Sequence, residues 1–584
     1  MKDERILKVA INVPLARYFD YLPPAGCPGV AAGTRVRVPF GRQRVVGLVM
    51  TDDDSSELPR SKLKRAEAVL DDEPLVSDDG RWLIRFTSEY YHHPIGEVAA
   101  AALPVMLRKG SDLYPTLTFI VATDAGVAAD IDALAKRAPK QAELLTALID
   151  AGGNGLSTEA LNEALPNWRR IAKPLEERAF IDRFEMRDTG MTASPDLVPS
   201  DGPVLNDDQQ AAVDAIRKAD GFEAFLLDGV TGSGKTEVYL HLIRDVVAAG
   251  HQVLVLVPEI GLTPQLVARF RERLGLEPAL LHSGLGDPER LAAWRIARDG
   301  GARLVVGTRS AVFTPLPNAR LIIVDEEHDH SFKQQEGLRY SARDLAIVRA
   351  NRAGIPVVLG TATPTLEILK HCRDGKYRHL RLPRRAGGAE PPDMRVVDIS
   401  REFVDDGLSR ALADAIDRHL ANGSQVMLFL NRRGFAPTLI CGACGHVAEC
   451  RQCDSRMTVH ARDNRLRCHH CGDSRTLDDA CRECGSAVRP LGAGTERLED
   501  ALAERFPRRT IVRIDSDSTQ RRGSIDAALS AATGGAAEIL VGTQMLSKGH
   551  HFPNLTLVGI VNADQGLFGS DFRSDERLAQ SIVQ

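Results

Sequence analysis

The chain has 584 residues, of which 43% are hydrophobic and 26% charged, and a formal net charge of −5. That composition excludes long disorder and an overall basic coat, and the length allows about four domains, each with its own core. No apolar run of signal-peptide length opens the chain and no stretch of about eighteen apolar residues occurs later, so a cytoplasmic protein with no membrane partner is expected.

Charge is uneven along the chain. Residues 1–50 carry eight Lys/Arg against three acids, a local excess able to meet phosphates, although a solvated face is the usual meaning of such a count. Residues 223–249, "EAFLLDGVTGSGKTEVYLHLIRDVVAA", read as a strand, a glycine-rich loop and an amphipathic helix. In such a loop Gly229, Gly232 and Gly234 let backbone N–H groups turn toward phosphate oxygens. Lys235 reaches the β- and γ-phosphates of ATP, and the Thr236 hydroxyl faces Mg2+.

Strands follow with the rhythm of a parallel sheet at 252–258, 303–307, 321–324 and 356–360. The third runs directly into Asp325-Glu326-Glu327-His328. A carboxylate at a strand's C-terminal end can hold magnesium, and the next can orient and deprotonate the attacking water. "GTATPT" (360–365) follows the fourth strand, where small hydroxyl residues can sense Glu326 and His328. A second set of strands at 425–431, 510–515, 538–544 and 555–564 predicts a second α/β lobe, and two such lobes in tandem describe a motor closing on ATP.

Inside the second lobe lie four Cys-x-x-C pairs: Cys441/Cys444, Cys450/Cys453, Cys468/Cys471 and Cys481/Cys484. Each pair sets two thiolates about one tetrahedral edge apart, so four pairs predict two Zn2+ ions, with an iron–sulfur cluster as the alternative. The five-residue spacer between the first two pairs favours nested pairing, inner with inner and outer with outer. With every ligand position filled, the zinc would be structural. His446, His469 and His470 are then surplus, and the isolated Cys27 and Cys372 read as small core residues.

These motifs together resemble a superfamily 2 DNA helicase, and within it the bacterial replication-restart helicases of the PriA family. The likeness runs through "YFDYL" (18–22), "RVRVPFG" (35–41), "YYHHPIG" (90–96), "DGVTGSGKTEVYL" (228–240), "VPEIGLTPQ" (257–265) and "LHSGL" (281–285). It continues in "GTRSA" (307–311), "DEEHD" (325–329), "KQQEG" (333–337), "FLNRRGFAP" (429–437) and "GTQMLSKGHHFP" (542–553).

The resemblance implies an α/β fold with two RecA-like lobes. Lobe 1 would span 199–395 and lobe 2 396–584, with a double-zinc ribbon inserted at 438–487. A mainly β 3′-end DNA-binding domain (1–110) and a winged-helix domain (111–198) would precede them. It implies nested zinc pairing and an adenine contact from Gln209. Phe19, Asp20, Tyr21, Gly41 and Lys64 would hold a terminal nucleotide with a free 3′-OH: aromatics stack a base, while a carboxylate accepts from a hydroxyl and repels a phosphate. Phe332, Lys333, Tyr340 and Arg343 would form an aromatic-rich DNA-contacting loop.

The function implied is ATP-dependent 3′-to-5′ unwinding at stalled or abandoned forks, leading to primosome assembly. An ATP-independent fork-binding platform is the other reading. The partners implied are forked DNA with a 3′-OH leading-strand end, single-stranded DNA, single-stranded DNA-binding protein, and other primosome and helicase-loading proteins. Such helicases carry a Q-x-x-GR-x-GR motif just where this chain stops at Gln584. The expectation is therefore a fragment or truncated product with little ATP hydrolysis, in which Arg573 is the first substitute arginine to examine.

Overall fold

Seven strands lying side by side in lobe 1 set the geometry of everything near the nucleotide loop. In this computed structural model the described residues are 5–27, 29–165, 167–187, 198–258, 264–386, 392–399, 404–405, 408–430, 438–441, 443–453, 457–460, 464–468, 471–491, 495–514, 532, 534–542, 552–564 and 572–584. The parts of the motifs at 259–263, 431–437 and 543–551 lie outside them.

The strand order in the lobe 1 sheet is Ala279–Leu281, Leu304–Gly307, Gln252–Leu256, Ala319–Asp325, Val357–Thr361, Ala224–Gly229 and Arg378–Leu382, and every pairing is parallel. The middles of the four central strands are continuous apolar runs because both faces of the sheet are covered. Side chains alternate between two cores. Phe225, Leu227, Val253, Val255 and Ile323 pack on one side with the helices Asp207–Arg217 and Lys235–Ala248, while Leu226, Leu254, Ile322, Val324 and Leu359 pack on the other. The short outer strands at 279–281 and 378–382 went unpredicted, since their weak, partly exposed pattern resembles loop.

The first residues form a six-stranded sheet whose core of Leu7, Val9, Ile11, Val36, Val38 and Val49 comes from alternation in its strands. Arg35 explains part of the basic excess noted in the sequence. It is fully buried, its guanidinium 2.6 Å from Asp71, and it donates to the carbonyls of Leu107 and Ser111 at 2.7 and 2.9 Å. That charge is internal and meets no phosphate.

The helices Asp78–Tyr90 and Ile95–Ala102 then carry Leu83, Ile84, Ile95 and Val98 into the same core as Leu254 and Ile322 of lobe 1. The N-terminal region and lobe 1 thus share one apolar interior. Residues 116–187 contain a three-stranded antiparallel sheet, Leu156–Ser157, Thr116–Ala122 and Ile181–Arg187, against helices packed around Leu144, Leu148 and Trp168.

Lobe 2 has four parallel strands in the order Ile511–Ile514, Ile539–Gly542, Gln425–Leu430 and Leu555–Val561, so both lobes are RecA-like α/β units. Between the strands Gln425–Leu430 and Ile511–Ile514 the chain makes a separate five-stranded antiparallel ribbon holding all eight clustered cysteines. The last helix, Ser574–Val583, lies against lobe 1: Glu576 accepts from Leu366 N–H at 2.9 Å and Arg573 pairs with Glu367. No described helix is long and apolar enough to cross a membrane.

Candidate nucleotide, DNA and zinc sites

Three adjacent strands of lobe 1 end together at Gly229, Asp325 and Thr361, which places the phosphate loop, the acidic segment and the hydroxyl-rich turn at one edge of the sheet. Gly234 closes the loop in the left-handed region (φ +80°), where a Cβ would meet Gln209 Nε2 at 2.4 Å. The helix Lys235–Ala248 starts immediately after it, so its first N–H groups face the loop. Lys235 Nζ donates to the Gly229 carbonyl at 3.0 Å, and Thr236 is half-buried behind it.

Gln209 sits against the phosphate loop. Its amide oxygen accepts from Asn206 N–H at 2.9 Å and its amide nitrogen donates to the Ser233 carbonyl at 2.8 Å. The side chain is buried and engaged at both ends, so it braces the loop and the helix start.

Asp325 sits beside Tyr239, whose hydroxyl donates to Oδ1 at 2.9 Å. Tyr239 comes from the helix after the loop and reaches the carboxylate only because residue 360 is glycine: a Cβ there would lie 1.6 Å from the hydroxyl oxygen. Burial pushes the Asp325 carboxyl above its usual range, against the pull of Lys235 and of the Tyr239 hydrogen bond. The next residue, Glu326, has φ +51°, a left-handed conformation that costs a non-glycine residue on the order of 1–3 kcal/mol. The peptide is held there by Glu327 N–H donating to the Gly360 carbonyl at 3.0 Å. His328 Nδ1 lies 2.8 Å from Thr361 Oγ1 and 3.5 Å from Glu326 Oε2, linking the acidic segment to the hydroxyl-rich turn.

Glu327 was missed in the sequence. It is fully buried, accepts from Thr365 N–H at 2.8 Å and from Arg343 at 3.0 Å, and burial raises its pKa. Its partners stand 16 and 38 positions away, so no local pattern announces it.

That network also holds the expected DNA-contacting loop. Arg343 is paired with Glu327 and Asp344, and Phe332 and Tyr340 are each 2% exposed, their rings packed into the lobe 1 core. Lys333 alone of the four is exposed. Arg573 is likewise paired, with Glu367 and Glu576.

In the N-terminal sheet Phe19, Asp20, Gly41 and Lys64 line a cleft of about 890 Å³ together with Lys8 and Phe40. Phe19 meets Phe40 edge-on at 5.1 Å with Arg17 over its other side. Asp20 is held by Lys8 at 3.1 Å and by the Ser56 hydroxyl at 2.5 Å. Tyr21 also borders the cleft, but its ring is buried in the sheet core and its hydroxyl donates to the Pro39 carbonyl at 3.0 Å, so its ring shapes the floor and offers no stacking face.

The cysteines fall into two quartets, Cys441/Cys444/Cys481/Cys484 and Cys450/Cys453/Cys468/Cys471, which is the nested pairing. Sulfur–sulfur distances of 3.5 and 3.6 Å recur in both, near the tetrahedral edge of about 3.8 Å that zinc–thiolate bonds of about 2.3 Å require. Three pairs are followed by a glycine with positive φ, Gly445, Gly472 and Gly485, whose N–H donates back to the first cysteine's carbonyl. That Cys-x-x-C-G repeat was visible in the sequence and sharpens the zinc assignment. The lone Cys27 and Cys372 are half-buried, and burial pushes the Cys372 thiol up to about 11.

The residues present fit a nucleotide with magnesium as well as zinc. Lys235, Thr236 and Asp325 stand where phosphate and metal would be held, and the Ser233 hydroxyl inside the loop is buried with no partner among the described residues.

Comparison with known proteins gives three family matches: the 3′DNA-binding domain (3′BD) of PriA over residues 8–104, the DEAD/DEAH box helicase family over 206–371, and the PriA DNA helicase Cys-rich region (CRR) domain over 450–475. The replication restart protein PriA of Haemophilus influenzae is 43% identical, over 99% of this chain and 80% of its own length. That of Bacillus subtilis is 36% identical over 97% of this chain and 79% of its own, and that of Chlamydia pneumoniae 34% over 99% and 78%. At 43% identity over nearly the whole chain, with a phosphate loop, an acidic segment and two cysteine quartets in its own fold, the chain belongs to the PriA family of replication restart proteins.

Proposed function

We propose that the protein is an ATP-dependent 3′-to-5′ DNA helicase that recognises stalled or abandoned replication forks and starts replication restart by primosome assembly. The observation that supports this best is the shared interior: helices within the 3′DNA-binding region pack into the same core as the strands of the ATP lobe. A domain that only tethered DNA would need no such union.

On this reading residues 1–110 bind the 3′-end, 111–198 a second part of the fork, 199–395 ATP, and 396–584 complete the motor around the ribbon at 438–487. Lys235 holds the phosphates and Thr236 and Asp325 the magnesium, which when bound neutralises phosphate charge. Glu326 orients the attacking water, and His328 reports its state to Thr361. Asp20, fixed by Lys8 and Ser56, accepts from a terminal 3′-hydroxyl and repels a 3′-phosphate. Helicase-loading and single-stranded DNA-binding proteins are the expected protein partners.

The test compares forks whose leading strand ends in 3′-OH or 3′-phosphate, measuring binding, ATP turnover and the polarity of unwinding. The 3′-OH fork should bind tighter, and Asp20→Ala should reduce that preference about tenfold, as the loss of a hydrogen bond to a carboxylate implies. Unwinding of the opposite polarity, or identical binding of the two forks, would overturn the reading. Tight fork binding with no ATP turnover would leave the platform in its place.

A further inference from the structure

The helix Asp78–Tyr90 serves two sites at once. Arg85, Ser88 and Glu89 on it form a wall of the N-terminal cleft, while its C-terminus delivers Tyr91 to lobe 1. His92, at φ +49°, turns the chain away directly afterwards, so Tyr91 is presented at a corner. Its hydroxyl accepts from Ser341 N–H at 3.1 Å, and Lys333 Nζ lies 4.9 Å from its ring centroid. These two contacts grip both strands of one small loop, since Lys333 and Ser341 pair as an isolated antiparallel bridge and Lys333 Nζ donates to the Arg339 carbonyl at 2.5 Å.

What the loop leads into gives the contact its meaning. Ser341 caps the helix Ala342–Ala353, its hydroxyl accepting from Asp344 N–H, and Arg343 in the first turn of that helix holds Glu327. Glu327 is the third residue of the acidic segment and also fixes Thr365 beyond the hydroxyl-rich turn. An unbroken series of hydrogen bonds and ion pairs therefore runs from the cleft-lining helix to the strained Glu326 peptide, through groups that are mostly buried. Burial raises the Tyr91 phenol to about 12, so it stays a neutral hydroxyl at working pH.

We propose that Tyr91 is a positioning residue that transmits occupancy of the N-terminal cleft by a nucleic-acid end to the Asp-Glu-Glu-His segment. This rests on the helicase reading above. A 3′-end bound against Arg85 and Ser88 shifts the helix, Tyr91 moves the 333–341 loop with it, and Arg343 resets Glu327.

The test uses the full chain, Tyr91→Phe and Tyr91→Ala. Hydrogen–deuterium exchange is followed with and without a fork carrying a free 3′-end, alongside ATP turnover. In the wild-type protein the fork should protect both the cleft strand around residues 18–22 and the loop around 333–341. Tyr91→Phe should keep the first and lose the second, with fork affinity and basal turnover unchanged and DNA stimulation reduced about threefold to tenfold, the range expected for one hydrogen bond. Loop protection and stimulation that persist in both variants would overturn the tie. So would basal and stimulated rates falling in parallel with a lower melting temperature, which marks a merely structural role. Absence of cleft protection in the wild-type chain would instead defeat the helicase reading itself.

Discussion

Tyr239 shows how much a single side chain settles at the nucleotide edge. Its hydroxyl crosses the space left by Gly360 to hold Asp325, so helix, strand and turn are locked by one atom. Tyr239→Phe keeps the ring in its core and removes only that hydrogen bond. The expected outcome is a magnesium concentration for half-maximal ATP turnover raised about threefold to tenfold, with thermal stability nearly unchanged. An unaltered magnesium requirement would show that Asp325 is positioned without it. Arg35 teaches the complementary lesson that a basic residue in a DNA-binding region can be wholly internal, its charge matched to Asp71 and two carbonyls.

At the scale of elements the ribbon stands apart from the lobe that carries it. Its small apolar cluster, including Leu439, Met457, Val459 and Leu466, is too slight to order five short strands unaided, so the metal must supply the difference. Structural zinc can contribute about 10–16 kcal/mol. Two zinc ions per chain should be found by elemental analysis, and strong chelation should release residues 441–484 to proteolysis while nucleotide binding by lobe 1 survives. One ion, or iron, would contradict the paired-quartet reading.

The ribbon was also the most legible part of the sequence, because metal ligation is written in local spacing. The phosphate loop and the central strands were legible for the same reason: each is a contiguous pattern. The commitments of Gln209, Arg343 and Tyr340 were hidden because their partners, Ser233, Glu327 and the lobe 1 core, lie elsewhere in the chain. The family likeness implied contact with adenine or DNA at each of these positions. Burial, which a motif cannot report, sets what each of these side chains touches in the fold.

For the whole molecule the continuous core between the N-terminal helices and lobe 1 carries an energetic consequence. Leu107 is fully buried in that shared interior. Leu107→Ala should cost about 2–5 kcal/mol, and the loss should appear in the thermal transition that also abolishes nucleotide binding. A separate, earlier transition confined to residues 1–110 would show that the two regions unfold independently.

On the proposed function, the same continuity would govern how the protein handles a branched substrate. A DNA-gripping module on a flexible tether samples many orientations, and its engine cannot know where the end of a strand lies. Here the cleft-lining helix and the sheet that holds the phosphate loop pack into one core. On the proposed function, a captured strand end would therefore have a fixed distance and bearing from the nucleotide site before ATP is hydrolysed. On that reading the protein is a caliper, and inserted residues near 70–77 that lengthen the connection should blur which fork geometries it accepts before they weaken its grip on DNA.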